Sequence, residues 1–157
     1  MIKRLLFLSF FAFAMCLFLG CGSDQQPTRK ANGKFITHRE DTHGIDFKNT
    51  ITETEQENII LYDYLYNGAG VGVADFNHDG HLDVYFAGNQ VNDGYYIGNG
   101  DLTFQKDPSA FPKGWGDGWS VGVCVLDINQ DGWTDIYVCK SGPSRKQTHP
   151  NELWINL

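Results

Sequence analysis

Basic side chains are scarce in this chain. Its 157 residues carry 12 Lys and Arg against 19 Asp and Glu, a formal net charge of −7. So acidic a chain repels phosphate, and with no cluster of Lys or Arg to offset this, the balance argues against a nucleic-acid partner. Also missing is any sustained 3.6-residue apolar period. The aromatic, glycine-rich and turn-rich sequence therefore reads as short strands rather than amphipathic helices. Catalytic signatures are equally thin. There is no nucleophile elbow and no phosphate-cradling glycine loop, and His38, His43, His78, His81 and His149 lack a His-x-x-x-His spacing and read as solvated loop residues.

The long apolar run is at the start. Lys3 and Arg4 precede residues 5–19, which are rich in Leu and Phe and lead into Gly20-Cys21. A positive segment before a short apolar stretch is an export signal, and the run is short for a bilayer span of about 20 residues. The small residue before a cysteine resembles the bacterial lipobox, although Phe18 stands where leucine is usual. The resemblance implies a signal peptide over 1–20, lipidation of Cys21 and a place in the bacterial cell envelope, at the outer membrane or cell surface. A cleaved, secreted product and a retained membrane anchor are the alternatives. Residues 21–34, polar and without large apolar side chains, read as a flexible tether. Without Lys3 and Arg4, 10 basic residues face 19 acidic ones, a formal charge of −9.

Much of that acidity sits in two stretches of one pattern, Asp75-Phe-Asn-His-Asp-Gly-His-Leu-Asp83 and Asp127-Ile-Asn-Gln-Asp-Gly-Trp-Thr-Asp135. Side-chain oxygens fall at positions 1, 3, 5 and 9, with glycine at 6. A hard cation such as calcium takes six to eight oxygen ligands, and alternating side chains on a curling backbone supply them. The expected ligands are Asp75, Asn77, Asp79 and Asp83 in the first loop and Asp127, Asn129, Asp131 and Asp135 in the second. His81 and Trp133, at position 7, are expected to contribute backbone carbonyls. Three carboxylates per loop repel one another until a divalent cation binds. Magnesium suits the loops less well because it demands near-ideal octahedral geometry, and transition metals less still because imidazole and thiolate ligands are not gathered there. An EF-hand needs an acidic residue at position 12 and flanking helices; here position 12 is Phe86 or Val138, and the flanks alternate like strands.

The two loops belong to a repeat of 52 residues. From Gly70 to Gly88 and from Gly122 to Lys140, nine of the aligned positions are identical. The match resumes at an offset of 58, where Tyr96-Ile97 faces Trp154-Ile155, so six extra residues fall in the polar stretch 141–150. Alternation on both sides of each loop predicts a hairpin with the loop at its tip. Residues 94–104 predict a second hairpin turning at Asn99-Gly100-Asp101. Two hairpins make one four-stranded antiparallel blade. A period near 50 suggests propeller blades, so the expected fold is all-β, a partial β-propeller of about two blades. The first repeat core covers 68–106 and the second 119–157. A closed propeller needs four to eight blades, so the chain is expected to be the front end of a longer protein.

The stretch Gly70-Val-Gly-Val-Ala-Asp-Phe-Asn-His-Asp-Gly-His-Leu-Asp-Val-Tyr-Phe86, followed by Tyr95-Tyr-Ile-Gly-Asn-Gly-Asp-Leu-Thr-Phe104, resembles the FG-GAP/VCBS repeats of integrin α-like β-propellers. Thr42-His-Gly-Ile-Asp-Phe47 and Tyr64-Leu-Tyr-Asn-Gly68 look like the start of bacterial envelope proteins of the ASPIC/UnbV, or cartilage acidic protein, type, although their C-terminal ASPIC/UnbV segment is absent. The resemblance covers residues 35–157. It implies a propeller stiffened by structural Ca2+ at two sites and used for protein or glycan recognition or adhesion at the envelope, where the N-terminal lipid would attach it to the membrane. The expectation is a non-enzyme. The front of a polysaccharide-active propeller enzyme and a nonfunctional fragment are the other readings.

Two further features have ordinary explanations. Cys124 and Cys139 flank the second loop nearly symmetrically, so they are candidates for a cross-hairpin disulfide in an oxidising envelope; the alternative is two small packed residues, as Gly72 and Ala87 are in the first copy. Trp115, Trp119, Trp133 and Trp154, with Tyr62, Tyr64 and Tyr66, invite a sugar-binding reading. Aromatics at such positions more often pack between blades.

Overall fold

The computed structural model describes residues 40–113, 115–116, 118–143 and 150–157. The expected signal peptide, the lipidation site Cys21 and the tether lie outside the described residues. So do six residues of the polar stretch in the second copy. Among the described residues no helix is long and apolar enough to cross a membrane.

The described chain opens on a single helical turn, α1 (Glu40–His43), and then runs without regular structure to the first strand. Four strands follow in succession, β1 (Val71–Ala74), β2 (Asp83–Phe86), β3 (Gly94–Gly98) and β4 (Phe104–Lys106), and form one antiparallel sheet in chain order. After a 3-10 turn at Pro108–Ala110, β5 (Ser120–Leu126), β6 (Asp135–Lys140) and β7 (Glu152–Trp154) form a second antiparallel sheet. The fold is all-β, with two successive sheets of propeller-blade type. Both predicted hairpins of the first copy are present. Asn99 N–H donates to the Thr103 carbonyl at 3.0 Å to close the second, and Gly100 takes φ +83° there.

Register carries the repeat into three dimensions. Ala74 pairs with Asp83 and Val71 with Phe86; 52 residues on, Leu126 pairs with Asp135 and Val123 with Val138. The offset of 58 holds as well, since Val84 pairs with Tyr96 and Ile136 with Trp154. One expectation is corrected by this register. Cys124 lies opposite Tyr137 and Cys139 opposite Gly122, so the cysteines do not face each other, and both thiols are free. The reason is that Asp135 already belongs to the strand, so the true loop is one residue shorter than the nine-residue motif and its centre moves toward Gln130.

Strand alternation gives each sheet two faces. The back of the first sheet, with Ala74, Tyr85, Tyr95 and Ile97, packs on the front of the second, with Val123, Val125, Ile136 and Val138. Phe111, Trp115 and Trp154 complete this core: Phe111 stacks on Trp115 at 4.5 Å and meets Trp154 edge-on at 5.5 Å. Trp119 is buried edge-on against Tyr62. The reading of tryptophans as packing therefore holds for Trp115, Trp119 and Trp154. Close approach of β1 and β5 depends on glycine. A Cβ on Gly72 would lie 2.8 Å from side-chain carbons of both Val123 and Val125, and one on Gly70 only 2.6 Å from the Val123 nitrogen.

Buried polar groups tie the layers together. Tyr85, fully buried, donates its hydroxyl to Asp93 at 2.6 Å; Gly88 N–H and the Ser120 hydroxyl donate to the same carboxylate at 2.7 and 3.0 Å. Burial pushes the Asp93 carboxyl above its ordinary range, and these donors together with Lys140 oppose that shift. Asn89 exchanges two hydrogen bonds with Asn49 and donates to the carbonyls of Gly68 and Ser120. It thereby joins the leading segment to both sheets.

Candidate metal centre

Each Asp-rich loop caps the hairpin formed by the first two strands of its sheet, β1–β2 or β5–β6. In the first loop Asp75 accepts from the N–H groups of Asp79 at 3.1 Å and Gly80 at 2.9 Å. Asn77 Oδ1 accepts from Asp79 N–H at 3.0 Å, and Asp79 Oδ1 from His81 N–H at 2.8 Å. The second loop repeats every one of these bonds. Asp127 accepts from Asp131 and Gly132 at 3.2 and 2.9 Å, Asn129 from Asp131 at 3.2 Å, and Asp131 from Trp133 at 2.8 Å. In both, the asparagine amide also donates to the carboxylate two residues on, at 2.9 and 2.7 Å. Short acidic side chains favour such loops because they bond backbone a few residues ahead.

The backbone explains the glycines and exposes a feature the sequence did not announce. Gly80 and Gly132 take φ +89° and +93°, with open space where a Cβ would stand, so conformation and not crowding requires glycine. Position 4 is also left-handed: His78 has φ +58° and Gln130 +60°. A non-glycine residue there is uncommon, and its recurrence in both loops marks one shared conformation.

Position 9 has a second role. Asp83 and Asp135 are fully buried. Asp83 accepts from Phe76 N–H, from the Tyr95 hydroxyl and from Gly98 N–H, at 3.1, 3.1 and 2.9 Å. Asp135 accepts from Ile128 N–H and Asn156 N–H, both at 2.9 Å. Each carboxylate thus bolts the start of its loop to the next hairpin. A carboxylate offers about four acceptor sites, so these bonds leave capacity on both.

The loops are brought side by side. His78, position 4 of the first, stacks on Trp133, position 7 of the second, with ring centroids 4.0 Å apart and planes 6° from parallel. His81 lies against Gly100 of the neighbouring turn, where a Cβ would come within 2.5 Å of its ring. Backbone and amide donors hold the Asp79 carboxyl below its ordinary range, chiefly the N–H of His81 and the Asn77 side chain. Next to the loops, between the sheets, opens a cavity of about 530 Å³ lined by Phe76, Asn77, Tyr95, Trp133, Trp154 and Asn156 among others.

The donor set suits a hard cation. Each loop gathers three carboxylates and one amide oxygen in sequence order, with no thiolate among them, which is oxygen chemistry of the calcium kind. Positions 3 and 5 are exposed in both loops, position 1 is exposed at Asp127 and half-buried at Asp75, and position 9 is the buried floor. In this arrangement, among the described residues, no three His, Cys, Asp or Glu side chains stand close enough together to hold a metal ion. The carboxylates instead spend their oxygens on the loop's own N–H groups.

No curated protein and no solved structure matches the chain. The sequence model of the FG-GAP-like repeat matches residues 75–138, from the first aspartate of the first loop through the second loop into β6. Over that stretch, which holds both loops, the chain is similar to the FG-GAP-like repeat family, and its blade-type sheets agree with that assignment.

Proposed function

We propose that this chain is a calcium-braced, propeller-type recognition module of the bacterial cell envelope and that it is not an enzyme. The observation that carries the reading is the identity of the two loops. The same backbone bonds, the same left-handed positions and the same register recur 52 residues apart on successive sheets. Asp75, Asn77, Asp79 and Asp83, with the His81 carbonyl, would hold one Ca2+, and Asp127, Asn129, Asp131 and Asp135, with the Trp133 carbonyl, the other. The ion would supply positive charge that offsets carboxylate repulsion and stiffens the hairpin tips. Extracellular modules bind calcium at about 10⁻⁴ to 10⁻³ M, so the sites suit the outside of a cell.

The narrower family reading belongs to the same proposal. FG-GAP/VCBS repeats of the integrin α type, within an ASPIC/UnbV-like envelope lipoprotein anchored through Cys21, would present the propeller to a protein or glycan ligand. The FG-GAP-like match and the acidic, tethered sequence support it.

Terbium luminescence tests the metal reading. Trp133 sits in the second loop and stacks on the first through His78. Excitation of tryptophan should give sensitised terbium emission that calcium competes away and that Asp127→Ala reduces. Absence of competable emission would sink the proposal.

A further inference from the structure

The two acidic loops are joined to each other at residues that lie between their expected ligands. His78 stands between Asn77 and Asp79 of the first loop, and its ring stacks on Trp133 of the second, with centroids 4.0 Å apart. Trp133 is tied to its own site twice over. Its N–H donates to the Asp131 carboxylate at 2.8 Å, and its carbonyl is the ligand expected from position 7. A second link runs through Asn156, half-buried just beyond β7. Its side-chain amide donates to the Phe76 carbonyl at 2.6 Å and to the Thr134 carbonyl at 3.3 Å, while its backbone N–H donates to Asp135 at 2.9 Å. Phe76 stands between Asp75 and Asn77, and Thr134 between Trp133 and Asp135. One side chain therefore grips both loops next to their ligands. The equivalent position in the first sheet is Gly98, whose N–H repeats the backbone bond, to Asp83 at 2.9 Å, but which has no side chain to reach another loop.

Metal binding has to move these residues. The side chains at positions 1, 3 and 5 of both loops accept from N–H groups of their own loop. Among the described residues no three His, Cys, Asp or Glu side chains stand close enough to share an ion. Gathering the ligands around a cation therefore turns the intervening backbone, which carries His78 with the first loop and Trp133 with the second. Whichever loop closes first fixes a ring and a carbonyl that the other would have to order for itself.

We infer that His78 and Asn156 are positioning residues that couple the two metal sites, so that filling one loop pre-orders the other and the sites fill with positive cooperativity. The inference rests on the calcium reading above. A loop whose backbone is already fixed loses less conformational freedom on binding, which is coupling in its entropic form. Two bound cations repel each other, and the links have to outweigh that repulsion.

The test is a calcium titration of the full chain followed at the amide resonances of Gly80 and Gly132, whose N–H groups donate to Asp75 and Asp127 and so report each loop separately. With a coupling factor of about five or more, the wild type should show a Hill coefficient of about 1.4 or more. Asp75→Ala should then raise the Gly132 midpoint about two-fold or more, the part of that factor that a midpoint shows. His78→Asn combined with Asn156→Ala keeps every expected ligand, and asparagine tolerates the left-handed position of His78. That chain should still bind at both loops, with a Hill coefficient of about 1. Adding Asp75→Ala to it should shift the Gly132 midpoint by less than in the wild type. The lost charge of Asp75 acts in both backgrounds, so the difference between them reports the links alone. If the combined variant loses its wild-type circular dichroism, His78→Asn and Asn156→Ala are compared singly, and each should lower the Hill coefficient. Independent or mutually weakening sites in the wild type would overturn the inference, as would cooperativity that survives loss of both links. No response of either glycine to calcium would sink the calcium reading and this inference together, whereas binding without coupling sinks this one alone.

Discussion

The two sheets carry nearly the same motif in the same register, yet one buries its back face and the other exposes it. Tyr85 is fully buried with its hydroxyl on Asp93; Tyr137, its counterpart, is half-buried and accepts a 2.8 Å bond from the Asn151 amide. What differs is the neighbour. A blade-type strand pattern therefore specifies an interface whose stabilising value appears only when the next sheet is present, as in repeat architectures generally.

The sharpest way to break that comparison is to truncate both tyrosines. Tyr85→Ala should cost about 3–5 kcal/mol, the usual figure for a buried aromatic, and it also removes one of the three donors to Asp93. Tyr137→Ala should cost only about 1 kcal/mol, the worth of a hydrogen bond. Urea unfolding at concentrations low enough to keep the chain monomeric measures both, and equal costs would show that the sheets are not stacked as described.

A smaller effect comes from the glycine between the sheets. Gly72→Ala places a methyl against Val123 and Val125, and overpacking of this kind costs about 1–3 kcal/mol. Cys124→Ala, at the same repeat position but exposed, should stay within about 0.5 kcal/mol. A melting-temperature comparison of the two variants suffices.

The smallest effect is one of pH. Asp93 has its carboxyl raised by burial, so the folded state holds that proton more tightly than the unfolded chain. The favourable contribution is fully present below the unfolded value and is lost as pH rises through the folded one. The unfolding free energy of wild type minus that of Asp93→Asn should therefore increase as pH falls. A difference that is flat or moves the other way would remove Asp93 from the junction. Asp79 runs in the opposite sense. Its carboxyl is lowered by its N–H donors, so its contribution is lost on acidification.

Much of this architecture was legible in the residues. Spacing of Asp, Asn and Gly fixed the loop conformation, because each side chain bonds backbone within five residues, and local bonds leave local patterns. The offsets of 52 and 58 showed which residues of the two sheets are equivalent, and the strand pairing keeps that equivalence. Long-range features left no such mark. Asp93 and Asn89 are single polar residues in a turn between β2 and β3, and only the approach of Ser120 from the second sheet makes them a junction. The His78–Trp133 stack joins residues 55 positions apart in the two loops. Asp83 and Asp135 read as ligands alone, because their bonds to Gly98 and Asn156 depend on how the second hairpin folds back. The cysteine pairing failed for a smaller reason. A motif of nine residues ends inside the strand, and taking its centre for the centre of the turn displaces the pairing.

Everything proposed for the loops rests on their being equivalent metal sites. Calorimetric titration of calcium into the chain tests this most directly. Two ions should bind per chain, with dissociation constants of about 10⁻⁴ to 10⁻³ M, and Asp75→Ala or Asp127→Ala should each remove one of them. No binding, or binding that survives both substitutions together, would contradict it.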